Sequence, residues 1–276
     1  MSISIDNAFV KQFEREVFEA YQRTGSKLRP TVRSKNNVKG SSAVFQKVGT
    51  GLASTKSAHG MVPVMNLNHT SVEATLQDYY AGDWVDKLDE LKVNHDERQV
   101  IANAGAYALG RKTDELIINA LNASTNTVTD TAQGLTIDKV LEAFEKLGAQ
   151  EVPDDGQRTA IVGWKQWSQL LALKEFSNAD YVGSEDLPFT GTQAVKWLGT
   201  LWIPHGGLPF NSTTGVRRCF WYHKTAIGHA SGQDVETDIT WHGDRAAYFV
   251  NSMMSQGAAL IEGNGVVVMT CDETPA

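Results

Sequence analysis

The side chains best able to do chemistry do not converge on a motif. Cys219, His223, His229 and His242 offer a thiol and imidazoles, the usual donors for a soft divalent metal. They fall on different elements at spacings that no common zinc site uses, so a strand thiol and ordinary polar histidines are the simpler reading. Cys219 and Cys271 are the only cysteines in the chain, too few for a disulfide framework, and free thiols are expected. Gly49-Thr50-Gly51 invites a nucleotide-binding turn, but Ser54 stands where a third glycine belongs and no amphipathic helix follows. Neither a Gly-x4-Gly-Lys-Ser/Thr loop nor a Gly-x-Ser-x-Gly elbow occurs. The neighbouring carboxylates Asp154 and Asp155, and Glu185 with Asp186, sit in proline- and glycine-flanked loops where acids cap and solvate rather than share a proton. No catalytic, cofactor or metal site assembles from these groups, and the sequence reads as that of a protein that is not an enzyme.

What remains is charge. The chain has 25 basic and 32 acidic residues and a net charge of -7, which argues against a dedicated nucleic-acid binder. The average hides an asymmetry. No acid lies between Glu19 and Glu73, whereas Arg23, Lys27, Arg29, Arg33, Lys35, Lys39, Lys47 and Lys56 give that segment +8. The remainder, with 17 basic and 32 acidic residues, carries -15. So long a basic strip cannot be neutralised locally and is expected to seek an acidic surface: a second copy of the chain, an acidic helper protein or nucleic acid.

The elements that would position these charges follow from composition and periodicity. With 276 residues, 41% hydrophobic and 21% charged, the chain can bury substantial cores. No apolar run approaches the ~18 residues of a membrane span, and the opening residues lack a signal-peptide pattern, so an intracellular origin is expected. Phe9, Phe13, Val17 and Tyr21 at fourfold spacing predict an amphipathic helix over 5–22. Extended runs near Ala43–Val48 and Val72–Tyr80 flank a Gly/Ser/Thr-rich tip, Gly49 to Gly60, and predict a long hairpin. The stretch NHDERQVIANAGAYALGRKTDELIINALN predicts a long helix over 94–122, capped by Asn94 and Glu97, with Ile101, Ala104, Ala108, Leu109, Leu116 and Ala120 on its buried face. Gly105 and Gly110 would let another element approach it closely. A second helix is expected from Ile137 to Leu147, with Thr136 as its cap, Leu135 stapled to Val140 and Gly148 as its left-handed stop. A strand at Arg158–Gly163 and a helix at Trp164–Lys174 come next. Strands are expected near Ala194–Ile203, Arg217–Tyr222, Val235–Trp241, Ala246–Met253, Gly257–Glu262 and Val266–Cys271, the last two joined as a hairpin by Gly263-Asn264-Gly265. The class is α+β, helices early and strands late.

In this order the elements resemble the major capsid proteins of tailed bacteriophages, whose coat fold is also found in encapsulin shells and herpesvirus capsid floors. The stretches WSQLLALKEFSNADYVG, TGTQAVKWLGTLWIPHGGLP, FWYHKTAIGHASGQDVE and QGAALIEGNGVVVM carry the same texture. The resemblance implies an N-terminal arm at 1–39, an extended E-loop at 40–80 and a P-domain at 81–154 that includes the spine helix 94–122. An A-domain follows at 155–240, and P-domain strands return at 241–276. It further implies self-assembly through hexamers and pentamers into an icosahedral virion shell around double-stranded DNA, built in the host cytoplasm with no membrane. A separate scaffolding protein and a portal are implied as partners, and DNA would be touched non-specifically. Some relatives lock the shell by Lys–Asn isopeptide bonds; Lys47 and Lys56 lie in the hairpin, but no spacing identifies a crosslinking trio. The alternatives are an encapsulin-like cargo shell and a cytosolic enzyme without a recognisable motif. For a shell protein the candidate contact residues between subunits are Arg29, Arg33, Lys35, Lys39, Lys47, Gly49, Gly51, Lys56 and Trp84.

Overall fold

The computed structural model describes residues 25–90, 96–128, 134–177 and 195–273. The expected helix over 5–22, Arg23, the capping residue Asn94 and the pair Glu185 and Asp186 lie outside them.

In chain order the strands and helices are β1 (Arg33–Lys35), β2 (Ser42–Val48), β3 (His69–Thr75), β4 (Gln77–Asp86), α1 (Lys87–Glu90), α2 (Glu97–Asn122), α3 (Ile137–Ala149), β5 (Arg158–Val162), α4 (Trp164–Ala172) and α5 (Lys174–Ser177). They continue as β6 (Val195–Trp197), β7 (Thr200–Pro204), β8 (Phe210–Asn211), β9 (Val216–His223), β10 (Ile227–His242), β11 (Ala247–Leu260) and β12 (Val266–Asp272). Among the described residues the chain divides into two compact units. The first comprises Gly25, Asp78–Arg111 and Asp234–Met254; the second comprises Ser26–Gln77, Lys112–Gln233 and the chain from Ser255 onward.

The second unit holds a mixed sheet in the order β12-β9-β5-β7-β6, with β8 added against β9. Every residue of β5 is buried, and so are Cys219 to His223 of β9 and Val266 to Met269 of β12. These continuous buried runs mark strands covered on both faces rather than one. Trp202 and Trp221 pack edge-on at 5.1 Å, and Phe176, Trp197 and Trp167 extend the cluster. The outer edge of β12 is sealed by its own chain: Val128 N–H donates to Val268 O, Val268 N–H donates to Asn126 O, and the buried Lys139 ammonium donates to Thr270 O. A sheet edge closed in this way cannot recruit a stray strand.

Helix α3 follows expectation at its start, where Thr136 Oγ1 accepts from Lys139 N–H, and Leu135 and Val140 are both buried. Its end differs. Gly148 stays within the helix, and the left-handed residue is Glu151 at φ 54°. The run near 194–203 is also not one strand. Leu198 and Gly199 both adopt positive φ, folding β6 back on β7 as a tight hairpin. Gly263–Gly265 likewise forms a single 3-10 turn, not a hairpin, because β12 pairs antiparallel with β9 instead of with β11. The separate runs expected at 246–253 and 257–262 are one strand, β11.

Strands β2 and β3 make a separate two-stranded antiparallel ribbon, from Ser42 opposite Thr75 to Val48 opposite His69. The run expected to continue to Tyr80 breaks at Leu76, whose N–H donates to Ser41 O. Beyond it β4 belongs to the first unit. There β4, the first half of β11 and the second half of β10 lie side by side, with β11 in the middle. The first turns of α2 pack on this sheet at Gly105, where a Cβ would lie 2.8 Å from Ser252 Oγ and 3.3 Å from Ala81 O. At Gly110 a Cβ would stand 2.7 Å from Gly25 Cα. Both glycines act as the spacing suggested. The buried face of α2 does so only in part: Leu109 and Ala120 are buried, but Ile101, Ala104, Ala108 and Leu116 remain partly exposed, while Thr113, Asp114, Ile117, Ile118 and Leu121 are buried.

Candidate functional site

The hairpin formed by β2 and β3 is anchored at its base and bare at its tip. Ala43, Phe45 and Ala74 are buried together with Ala230 and Ile261. Two glycines make that seat. A Cβ at Gly228 would stand 2.7 Å from the Phe45 ring, and a Cβ at Gly257 would collide with the Thr75 carbonyl. Lys47 forms an ion pair with Glu262 beside this seat, and the same carboxylate accepts the N–H of Asn264. Gly49 N–H donates to Asn68 O and closes the base of the loop. The loop is therefore 49–68, longer than the expected tip of 49–60, and its far side is apolar. Leu52 is 90% exposed, Met61 94%, Val62 76% and Val64 80%, a degree of exposure that apolar side chains in sequence do not keep without a partner.

The described basic residues of the strip, from Lys27 to Lys56, belong to the second unit. Arg33 and Lys35 are exposed on β1, which pairs in parallel with the start of β10. Arg33 also rests over the Phe45 ring at 5.7 Å. Arg29 is half-buried and donates to Asn36, while Lys39 and Lys56 are exposed. Gly51 is exposed, and a Cβ there would meet the side chains of Met65 and Leu67. Trp84 belongs to the first unit, where it packs on Phe249 at 4.6 Å beneath the Arg245 guanidinium at 4.4 Å. The structure thus brings Lys47, Gly49 and Gly51 to one hairpin, sets Arg33 against its base, and puts Trp84 elsewhere.

One polar constellation has no counterpart in the sequence reading. Asp114, buried in α2, accepts from Ser26 Oγ at 2.5 Å, Leu28 N–H at 3.1 Å and Lys27 N–H at 3.2 Å. His205 follows β7, and its Nε2 lies 3.1 Å from Asp114 Oδ2. Its Nδ1 accepts from Gly207 N–H, so Nε2 carries the proton that points at the carboxylate. Burial pushes the Asp114 carboxyl up, but the hydrogen bonds from His205, Ser26, Leu28 and Lys27 outweigh it and hold the group below the usual carboxylate range. Serine, aspartate and histidine meet here in the wrong order for nucleophilic catalysis: the serine bonds the aspartate instead of the imidazole, and no solvent reaches the aspartate or the imidazole. What the group does is clamp the chain entering η-turn Arg29–Thr31 to α2 and to the loop after β7. Nearby, Thr31 Oγ1 and Tyr222 Oη bond at 2.6 Å in the interior, and burial pushes the phenol well above its ordinary value.

The other chemical candidates have separate employment. Cys219 is wholly buried, and its hydrogen bond with Cys271, together with burial, pushes the thiol up. His223 Nε2 engages Asp155 at 3.1 Å and its Nδ1 engages Thr225 Oγ1. His229 Nε2 meets Gln256 Oε1, and His242 packs edge-on against Trp84. Among the described residues no group of three His, Cys, Asp or Glu side chains is placed to hold a metal ion, and no helix is long and apolar enough to cross a membrane. A cleft beside the hairpin base is lined by Thr50, Glu151, His223, Thr225 and Glu262; its hydroxyl–imidazole pair, Thr225 with His223, has the imidazole tied to Asp155 through Nε2.

Comparison with known proteins gives these features a context. The family model for phage capsid protein matches residues 5–273. No curated protein sequence matches. Among solved structures, a chain of Mycobacterium phage Che8 is 17% identical with a TM-score of 0.72, over 96% of this chain and 98% of that one. The capsid structure of the cyanophage P-SCSP1u gives 16% identity and a TM-score of 0.73, over 97% and 94%. The capsid of Ralstonia phage GP4 gives 12% identity and a TM-score of 0.69, with both chains fully covered. At these identities it is the fold that is shared: the α+β coat architecture expected from the order of elements.

Proposed function

The chain belongs to the phage capsid protein family, and we propose that copies of it, as the major capsid protein, assemble through hexamers and pentamers into an icosahedral shell around double-stranded DNA. In this reading 1–39 is the N-terminal arm and 40–80 the E-loop, whose 49–68 loop reaches from each subunit; the P-domain is made of 81–154 and 241–276, and the A-domain of 155–240 turns toward the ring centres. The work is association, not catalysis. Repeated burial of surface between identical subunits is all that such a shell requires.

The observation that carries this reading is the hairpin, seated firmly at Gly228 and Gly257 yet presenting Leu52, Met61, Val62 and Val64 to solvent. We assign that loop to the surface of a neighbouring subunit. The exposed cations Arg33, Lys35, Lys39 and Lys56 accompany it toward the acidic remainder of the next copy, where these four positive charges meet part of its acidic excess. Lys47 acts within the subunit, through Glu262. Assembly in the host cytoplasm with a separate scaffolding protein and a portal completes the proposal, and DNA meets the inner face without sequence-specific contacts. Electron microscopy of purified protein freed of nucleic acid is the test. Closed shells or capsomers are expected; a monomer or a small closed oligomer at every concentration and salt would overturn the reading.

A further inference from the structure

Among the described residues the methionines divide sharply by exposure. Met61 is 94% exposed and Met65 is 52% exposed, both in the hairpin loop, whereas Met254 and Met269 are buried at 2% and 0% and Met253 is half-buried. Met61 and Met65 bracket Val62-Pro63-Val64, so thioethers stand at both ends of the loop's apolar run. Met65 also closes the loop on itself, since its Cγ and Sδ would each lie 2.6 Å from a Cβ at Gly51.

We infer that Met61 and Met65 are an oxidation site, and that their conversion to sulfoxides by a peroxide stops the loop from docking on a second subunit. The docking half of this rests on the proposed function; the selectivity half rests on exposure alone. In the reaction a sulfur lone pair attacks one oxygen of hydrogen peroxide, an S–O bond forms as the O–O bond breaks, and the displaced hydroxide leaves as water after proton transfer. Sulfur loses two electrons and the peroxide is reduced. A thioether needs no ionisation to react, unlike a thiol, which reacts as thiolate. Cys219 and Cys271 are wholly buried, and Cys219 is held in its protonated form, so the loop methionines react first. The product replaces a flexible apolar tip by a polar group that must be desolvated to dock. At Met65 the added oxygen enlarges and polarises the side chain that closes on Gly51. Reduction by methionine sulfoxide reductases restores the thioether.

The test uses unassembled full-length subunits, treated with hydrogen peroxide, quenched with free methionine and transferred to assembly conditions. Mass spectrometry of the peptides should find one added oxygen at Met61 first, then Met65, before Met253, Met254 or Met269. Assembly yield of the oxidised protein, read by light scattering, should fall roughly tenfold or more, the scale of burying one uncompensated polar group. Reductase treatment should recover it. The Met61→Leu/Met65→Leu variant should assemble equally well with and without peroxide; if that variant fails untreated, reductase rescue of the wild type decides, recovery supporting the inference and no recovery overturning it. Oxidised wild type that assembles normally, peroxide sensitivity persisting in the double variant, or first oxidation outside the loop would each overturn it. Leu52→Asp separates the two premises. Normal assembly of that variant removes the docking reading itself, whereas failed assembly of Leu52→Asp with normal assembly of the oxidised wild type removes only the oxidation site.

Discussion

His205 Nε2 and Asp114 Oδ2 stand 3.1 Å apart with both side chains out of reach of solvent. Ninety-one positions separate them in the chain, and the segment from Ser26 to Leu28 donates to the same carboxylate. A buried anion with this many donors is stable only while all of them remain, because a donor left behind bears its full desolvation cost.

Asp114→Ala is therefore expected to lower stability by about 3 kcal/mol, because it strands the buried donors of His205, Ser26 and Leu28, each of which costs about 1–3 kcal/mol when left without an acceptor, with Asp114→Asn less severe. The pH dependence follows from the direction of the shift. Since the folded state holds the Asp114 carboxyl below its unfolded value, its contribution is fully present above about pH 4, the ordinary aspartate range, and is lost as pH falls through the lowered folded value. Thermal denaturation of wild type and Asp114→Asn between neutral and acid pH should show the two curves converging as pH drops. A constant gap would mean that the carboxylate's charge contributes nothing.

Gly257 has no room for a methyl group, because its Cβ would collide with Thr75 O at the hairpin base. Gly257→Ala should cost about 1–3 kcal/mol by overpacking and should shift the hairpin enough to reduce shell yield. Gly206→Ala serves as the control: its Cβ would meet nothing nearer than 3.8 Å, and a stability change within about 0.5 kcal/mol is expected. Differential scanning calorimetry with sedimentation of the assembled fraction distinguishes them.

The spine contact at Gly105 sits against Ser252 and Ala81. Gly105→Leu should destabilise or misassemble the protein, since a leucine cannot fit where a Cβ already lies 2.8 Å from a hydroxyl oxygen. A soluble variant with unchanged melting temperature and normal shells would show that α2 is not tightly packed there.

Reversal of Arg29, Arg33 and Lys35 to glutamate should leave subunits folded, because Arg33 and Lys35 are exposed and single exposed pairs are worth only about 0–1 kcal/mol. Assembly should nevertheless fail or go astray, and added salt should slow assembly of the wild type by screening. Normal DNA-free shells from the triple variant would remove the strip from subunit contacts; failure only during packaging would reassign it to DNA.

Hydrogen exchange should find amides of the 50–67 loop unprotected in free subunits and protected in shells, while those of β2 and β3 are protected in both. Equal protection of the loop in the two states would place it outside any interface.

Much of this protein was legible in its residues alone. Charge counting located the basic strip, periodicity located α2, periodicity and the Thr136 cap located α3, and Gly105 and Gly110 declared a close approach that the fold confirms at Ser252 and Gly25. These properties are local, set by neighbours a few positions apart. Pairing was not legible. Gly263-Asn264-Gly265 has hairpin chemistry, yet β12 pairs with β9, because a strand whose Val266–Met269 run is wholly buried gains more from joining the large sheet than from pairing with its sequence neighbour. The side of α2 that is buried, the break at Leu76 and the seat of Phe45 on Gly228 depend likewise on which distant surfaces meet. Above all, Asp114, His205 and Ser26 are unremarkable letters in the chain. Only tertiary structure brings them together, and only there does the loss of water turn a common carboxylate into the clamp on the chain that enters the second unit.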